Sequence, residues 1–177
     1  MKRIFLAVAV MFSLGSVVAQ QKIAHVYTDS LLSKMPSRQA AIEQLQKFEQ
    51  DGYKELQEME ADFNKQVGIY EAGKNAMSPV IMKMEEEKLR KKSASMDERQ
   101  QSLQSDLQLV SQELNKPILE KVTKSIELVA DRKKLAYVID ATNTLYTKGG
   151  MNITSEVLVE LLKLDTAVSA PVTVPMK

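Results

Sequence analysis

Two stretches of matched length constrain this chain more than anything else in it. Ser37 to Glu71 and Ser78 to about Leu114 both carry apolar residues at helical spacing, and the segment AGKNAM separates them. In the first stretch, Ile42, Leu56, Phe63 and Tyr70 fall on one heptad position and Leu45 and Met59 on its companion, while Glu49, Gly52 and Gln66 interrupt the series. In the second, Met82, Leu89, Met96, Leu103 and Val110 follow one another seven apart. Their companions Glu86, Ser93, Gln100, Leu107 and Leu114 are polar at first and apolar later. Heptads of this kind specify helices that lie along each other. Matched lengths on either side of a break predict one antiparallel hairpin, an arm over 37–114 with its tip near 72–78. Gly73 and Asn75 permit the reversal, and Ser78-Pro79 supplies an N-cap and a first-turn proline for the return helix. At 1.5 Å per residue the arm runs ~50 Å, too long to fold up inside a compact domain.

Pro117 occupies the next heptad position of the return helix. Proline inside a helix removes a hydrogen bond and kinks or ends it, so the arm is expected to close there. Beyond it, Ile118, Val122, Ile126 and Val129 form a denser stripe that suits a helix seated in a globular body. That body comprises 20–36 and 115–165. It is expected to hold a strand in KIAHVYTD, a strand in KLAYVID, one or two further strands in TLYTKGGMNIT around Gly149-Gly150, and a closing helix in TSEVLVELLKL. The fold class is therefore α+β: a small β-rich body from which a long antiparallel helical hairpin projects.

At roughly 70 residues such a body is marginal on its own core. The chain has no cysteine, so no disulfide can staple it. Association through the open edges of its short strands is the remaining route to stability. The opening MKRIFLAVAVMFSLGSVVAQ has a basic start, an apolar run and small residues at Val17 and Ala19, the layout of a secretory signal over 1–19. The proline-containing end, 166–177, is expected to be disordered.

Lys and Arg total 24 and Asp and Glu 23; without Lys2 and Arg3 the balance is 22 against 23. A near-neutral chain with 5% aromatics and no tryptophan lacks both the basic face and the stacking platforms that nucleic-acid binding requires. Phosphate loops, metal-ligand spacings and nucleophile motifs are missing from the sequence. The reading is of a protein that is not an enzyme and uses no cofactor. His25, the single histidine, sits in a strand and reads as a body or interface residue, and Asp29 and Asp140 each follow a strand, where turns favour Asp.

The order of these pieces resembles the OmpH/Skp family of periplasmic chaperones. The resemblance rests on KIAHVYTDSLL, the long helical hairpin, KLAYVIDATNTLY after a proline-led helix, and NITSEVLVELL, and it spans about Lys22 to Leu164. It implies a homotrimer with a central body of strands, helical tentacles around a cavity, and unfolded outer-membrane β-barrel proteins held there without ATP. Well-known relatives are strongly basic, whereas this chain is near neutral, so a membrane-surface contact draws only on local charge. The alternative, from another class, is a structural coiled-coil adaptor tethering a folded envelope partner.

Client contact is expected near the tip, at Val67, Ile69, Tyr70, Met77, Val80, Ile81 and Met84. Flexible thioethers suit promiscuous surfaces, and Val80, Ile81 and Met84 lie off the heptad seam. The same region carries seven bases, Lys65, Lys74, Lys83, Lys88, Arg90, Lys91 and Lys92, against four acids. That surplus would steer clients electrostatically, unless i,i+4 pairing absorbs it on an ordinary solvated face.

Overall fold

The computed structural model describes residues 22–166; residues 1–21, which include the expected signal segment 1–19, and the tail from 167 onward lie outside them, while Thr166, expected to belong to that tail, is helical. Strand β1 (Ile23–Val26) leads into a short helix α1 (Thr28–Leu32) and then α2 (Pro36–Gly73). A 3-10 turn at Lys74–Ala76 reverses the chain into α3 (Pro79–Lys133). Strand β2 (Tyr137–Asp140), a 3-10 turn (Ala141–Asn143), strand β3 (Met151–Asn152) and helix α4 (Thr154–Thr166) complete the chain.

The three strands form one sheet in the order β2-β1-β3. Both neighbours run parallel to β1, with Ile23 opposite Tyr137 and Ala24 opposite Met151. Alternation along β1 turns Ala24 and Val26 inward, where they meet Leu31, Met35, Ile118, Val122, Val129, Ile153, Val157 and Leu161 in a single apolar cluster. The core is therefore assembled from the two ends of the chain, with the arm as a long excursion between them.

The structure corrects one expectation and sharpens two others. First, α3 does not end at Pro117 but passes through it and continues to Lys133. Pro117 is exposed at the flank of the stripe in which Val110, Leu114, Ile118 and Val122 are buried. The carbonyl that loses its partner thus lies on the wet side, and continuous packing carries the helix across the gap. Second, of the one or two strands expected in TLYTKGGMNIT one forms, the two-residue β3, which pairs in parallel with β1. Thr144 to Gly150 is irregular, and Leu145 and Tyr146 point out of it. Third, the reversal at the tip uses no left-handed glycine, since Gly73 has φ −97°. Gly73 serves instead by its lack of a side chain: a Cβ there would lie 3.1 Å from Met77 Cε. The one positive φ among the described residues is at Lys134 (53°), which ends α3 with its N–H directed to the carbonyls of Ala130 and Asp131.

Gly52 also has a role opposite to the one its composition suggests. It is buried in the seam, and a Cβ on it would lie 2.3 Å from Leu103 Cδ1. Leu103, 2% exposed, fills the hole that this glycine leaves. Gly52→Val should cost about 1–3 kcal/mol by overpacking, and Leu103→Ala about 2–5 kcal/mol by cavity formation. Thermal unfolding at one fixed protein concentration should show the double variant to be at least about 1 kcal/mol less destabilised than the two single effects added. Plain additivity would refute the knob-and-hole contact.

Candidate binding surface on the arm

The arm is tied across its width at regular intervals. Arg99 Nη2 and Nε donate to Glu55 Oε2 at 2.7 and 2.9 Å, Lys92 pairs with Asp62, and the Tyr70 hydroxyl donates to Glu86 at 2.7 Å. The step of seven from Glu55 to Asp62 is answered by the step of seven from Arg99 back to Lys92, the signature of an antiparallel pair in heptad register. The acids on α2 draw the long bases of α3 inward. Glu85, Lys92, Arg99 and Asp106 are half-buried along the seam, whereas the expected companions Glu86, Ser93 and Gln100 are exposed. Towards the body the companions become apolar, with Leu107 half-buried and Leu114 buried. Gln66 and Gly52 lie within the seam and do not interrupt it.

These ties set the electrostatics. The hydrogen bond from Arg99 holds the Glu55 carboxyl below its ordinary range, and Lys92 does the same to Asp62. The hydrogen bond to Glu86 pushes the Tyr70 phenol up.

The seven candidate contact residues divide into two sets. Val67, Tyr70 and Met77 are half-buried and belong partly to the interior of the arm: Tyr70 is committed to Glu86, and Met77 packs over Gly73. Ile69, Val80, Ile81 and Met84 are open, at 62, 69, 49 and 56% exposure. The first turns of α3 set three of them side by side, because Ser78 Oγ accepts the N–H of Ile81 and Pro79 occupies the first turn. Val80 and Met84, one turn apart, line a shallow groove with Lys83, Glu87 and Lys91.

The basic surplus is partly absorbed by its own helix. Lys88 pairs with Glu85 (2.6 Å), Arg90 with Glu87 (2.8 Å), Lys91 with Glu87 (3.9 Å), and Lys92 crosses to Asp62. Lys65, Lys74 and Lys83 make no ion pair among the described residues. The tip therefore presents apolar side chains within a field of mostly compensated charge.

A second exposed apolar surface lies on the body. Ile23, Tyr137 and Ile139 occupy the outer face of the sheet, next to Tyr27. His25 shares that face but is only 8% exposed, its Nδ1 without a hydrogen-bond partner and its ring edge-on to Tyr27 at 5.8 Å. Asp29 is exposed in the first turn of α1 and not in a loop, whereas Asp140 accepts the N–H groups of Thr142 and Thr28, so its carboxyl serves the turn after β2. The sequence reading missed the exposed Leu109, Leu119, Leu145 and Tyr146. The first two stand beside the buried Val110 and Ile118, so the apolar residues flanking the expected core positions were the available signal. Among the described residues no cluster of His, Cys, Asp and Glu could hold a metal ion, and no helix is long and apolar enough to cross a membrane.

Comparison with known proteins agrees with this layout. The family described as outer membrane protein (OmpH-like) matches residues 22–161. A chaperone protein Skp from Photorhabdus laumondii is 28% identical over 151 residues, covering 85% of this chain and 91% of its own length. A chaperone protein Skp from Pectobacterium atrosepticum is 28% identical over 145 residues, with 81% and 87% covered. The fold is shared with a Caulobacter crescentus protein whose crystal structure is described as an OmpH-like outer membrane chaperone. The TM-score is 0.73, with 14% identity and 85% and 88% of the two chains covered.

The cross-arm ties make the arm sensitive to salt and acid. Arg99→Gln should lower stability by about 0.5–1 kcal/mol in dilute buffer, and the difference should shrink towards zero in 1 M salt. Because the Glu55 carboxyl is lowered in the folded arm, its contribution is present at neutral pH and is lost as the pH falls through that lowered value, below 4.5. Melting curves in both salts and on acidification check this; a loss that persists undiminished in 1 M salt would mean that Arg99 acts through packing alone.

Proposed function

The chain belongs to the OmpH-like family, and from that premise we propose that it is an ATP-independent holdase of the periplasm. It binds unfolded outer-membrane β-barrel proteins between its arms and keeps them from aggregating. The family consists of chaperones, not enzymes. The observation that carries the reading is the group of open apolar side chains, Val80, Ile81 and Met84, at the end of a hairpin far from the core. A soluble protein tolerates such a patch at the tip of a projecting arm when the patch has work to do there.

The physical character of the arm suits weak, many-point contact. Its seam is fully buried near the body, whereas in the distal half Phe63, Met82 and Leu89 are only half-buried and are joined by partly exposed ion pairs and hydrogen bonds worth ~1 kcal/mol or less apiece. Segments stabilised in this way sit at the low end of local stability and adapt to what they touch. Methionine adds polarisable, flexible contact without shape selectivity. Lys65, Lys74 and Lys83 supply the residual positive field for steering, and the paired Lys88, Arg90, Lys91 and Lys92 widen it; the same field gives a weak route to a membrane surface.

The division of labour follows the chain. Residues 1–19 act as the export signal, 20–36 and 115–165 as the association body, and 37–114 as the arm. The outer sheet face of Ile23, Tyr137 and Ile139 is where a second copy covers apolar surface, and a trimer places three arms around a common space.

Mixing a urea-unfolded β-barrel protein into buffer tests the holding activity. Light scattering should fall when stoichiometric trimer is present, and replacing Val80, Ile81 and Met84 together by serine should raise the amount of protein needed by at least about fivefold, a loss of ~1 kcal/mol of client binding. Native mass of the triple variant should stay that of the wild type. Unchanged scattering with wild-type protein would overturn the proposal, and a triple variant that dissociates would contradict the placement of these residues in the arm alone.

A further inference from the structure

The two helices of the arm leave the body side by side, and one carboxylate lies between their roots. Asp165, in the last turn of α4, is 2% exposed. Its Oδ2 accepts the backbone N–H of Ser37 at 3.0 Å, in the first turn of α2. Its Oδ1 accepts Lys121 Nζ at 2.8 Å, from α3. Lys121 lies one turn beyond Pro117, the position where α3 lacks a backbone hydrogen bond. Both roots of the arm are thus fastened to the closing helix through the same buried group, immediately on the body side of the weakest point in α3.

We propose that Asp165 is a positioning residue for holding: by capping α2 and pairing with Lys121 at once, it fixes the angle at which the arm leaves the body and so the width of the space the arms enclose. The clause on enclosed space rests on the holdase reading; the clause on arm angle does not.

The chemistry favours a carboxylate over any other group here. The start of a helix carries unsatisfied N–H groups and partial positive charge, which an anion compensates. A buried ammonium needs a counter-charge, and breaking a buried pair by removing one partner leaves the other charge exposed to a low dielectric. One Asp answers both demands, whereas an amide would answer the first and remove the charge that pairs with Lys121 here. Burial pushes the Asp165 carboxyl up, but Lys121 and Ser37 together outweigh that and hold it below its ordinary range. The fastening is therefore intact at neutral pH and is lost only as the pH falls through the lowered value, below 3.8. The charged group that faces the carboxylate is Lys121 from α3, and α2 faces it with the Ser37 N–H.

The absence of cysteine from the chain makes a distance measurement direct. Spin labels at Gln50→Cys on α2 and Val159→Cys on α4, both exposed positions, report arm against body when labelled subunits are diluted into unlabelled protein. In otherwise wild-type protein the distance distribution should be narrow at pH 7. In Asp165→Asn it should at least double in width while helicity and native mass stay unchanged. Lowering the pH below 3.8 should broaden the wild-type distribution towards that of D165N and change that of D165N less. Lys121→Met, which keeps the cap and removes the pair, should broaden it less, and this variant carries the test if D165N does not fold. The reversal Asp165→Lys with Lys121→Asp restores a pair but turns an ammonium to the start of α2, so it should remain broad. An unchanged width in D165N or in K121M, or a reversal as narrow as the wild type, would overturn the proposal. A wild-type protein that shows this narrow, acid-sensitive distribution yet fails to suppress aggregation would speak against the holdase reading alone.

Discussion

The contact between α2 and α3 is the interaction on which the rest of the molecule depends. A single helix of the length of α2, with its mostly polar surface, has little to hold it straight in water, because most helical stability in proteins comes from packing. Laid antiparallel, the two helices supply each other with a partner at every turn. The quality of that partnership changes along its length. At Gly52 and Leu103 it is a side chain filling a backbone hole; at Glu55–Arg99 and Asp62–Lys92 it is charge; at Tyr70–Glu86 it is one hydrogen bond. A gradient from dry and shape-determined to wet and electrostatic follows, and with it a gradient in how readily the arm yields.

The body answers the arm. Its core draws Ala24, Val26 and Leu31 from one end of the chain and Ile153, Val157 and Leu161 from the other, with Ile118, Val122 and Val129 of α3 between them. Because α3 runs unbroken from the tip to the core, Val80 and Val129 lie on one helix, which passes the root where Lys121 meets Asp165. Ion pairs from Arg132 to Glu160 and from Lys133 to Glu156 hold the far end of α3 to α4. Being partly exposed they contribute modestly to stability, but they keep α4, and hence Asp165, in place.

Much of this was legible in the sequence. The heptad series, the matched arm lengths and the Ser78-Pro79 restart define the hairpin, and the alternation at Ile23–Val26 and the run at Tyr137–Asp140 define two of the three strands. The exposure of Val80, Ile81 and Met84 also followed from their position off the seam. What was not legible depended on partners far away in the chain. Pro117 looks like a terminator until its solvent-facing side is known. Gly52 looks like a defect until Leu103 is seen to need the space. The inward turn of Lys92 and Arg99 is dictated by acids on the other helix, which local spacing does not reveal. The brief pairing of β3 with β1, and the roles of Asp140 and Asp165, depend on tertiary contacts that no periodicity encodes.

The central claim is that the distal arm receives non-native chains. A photo-activated cross-linking residue placed at Met84, compared with one at the exposed Gln46 near the root of α2, measures this most directly. With an unfolded β-barrel protein present, the account predicts strong cross-links from position 84, weaker ones from position 46, and none from either site once the client has folded. Cross-links confined to position 46, or equal capture of folded and unfolded client at position 84, would contradict it.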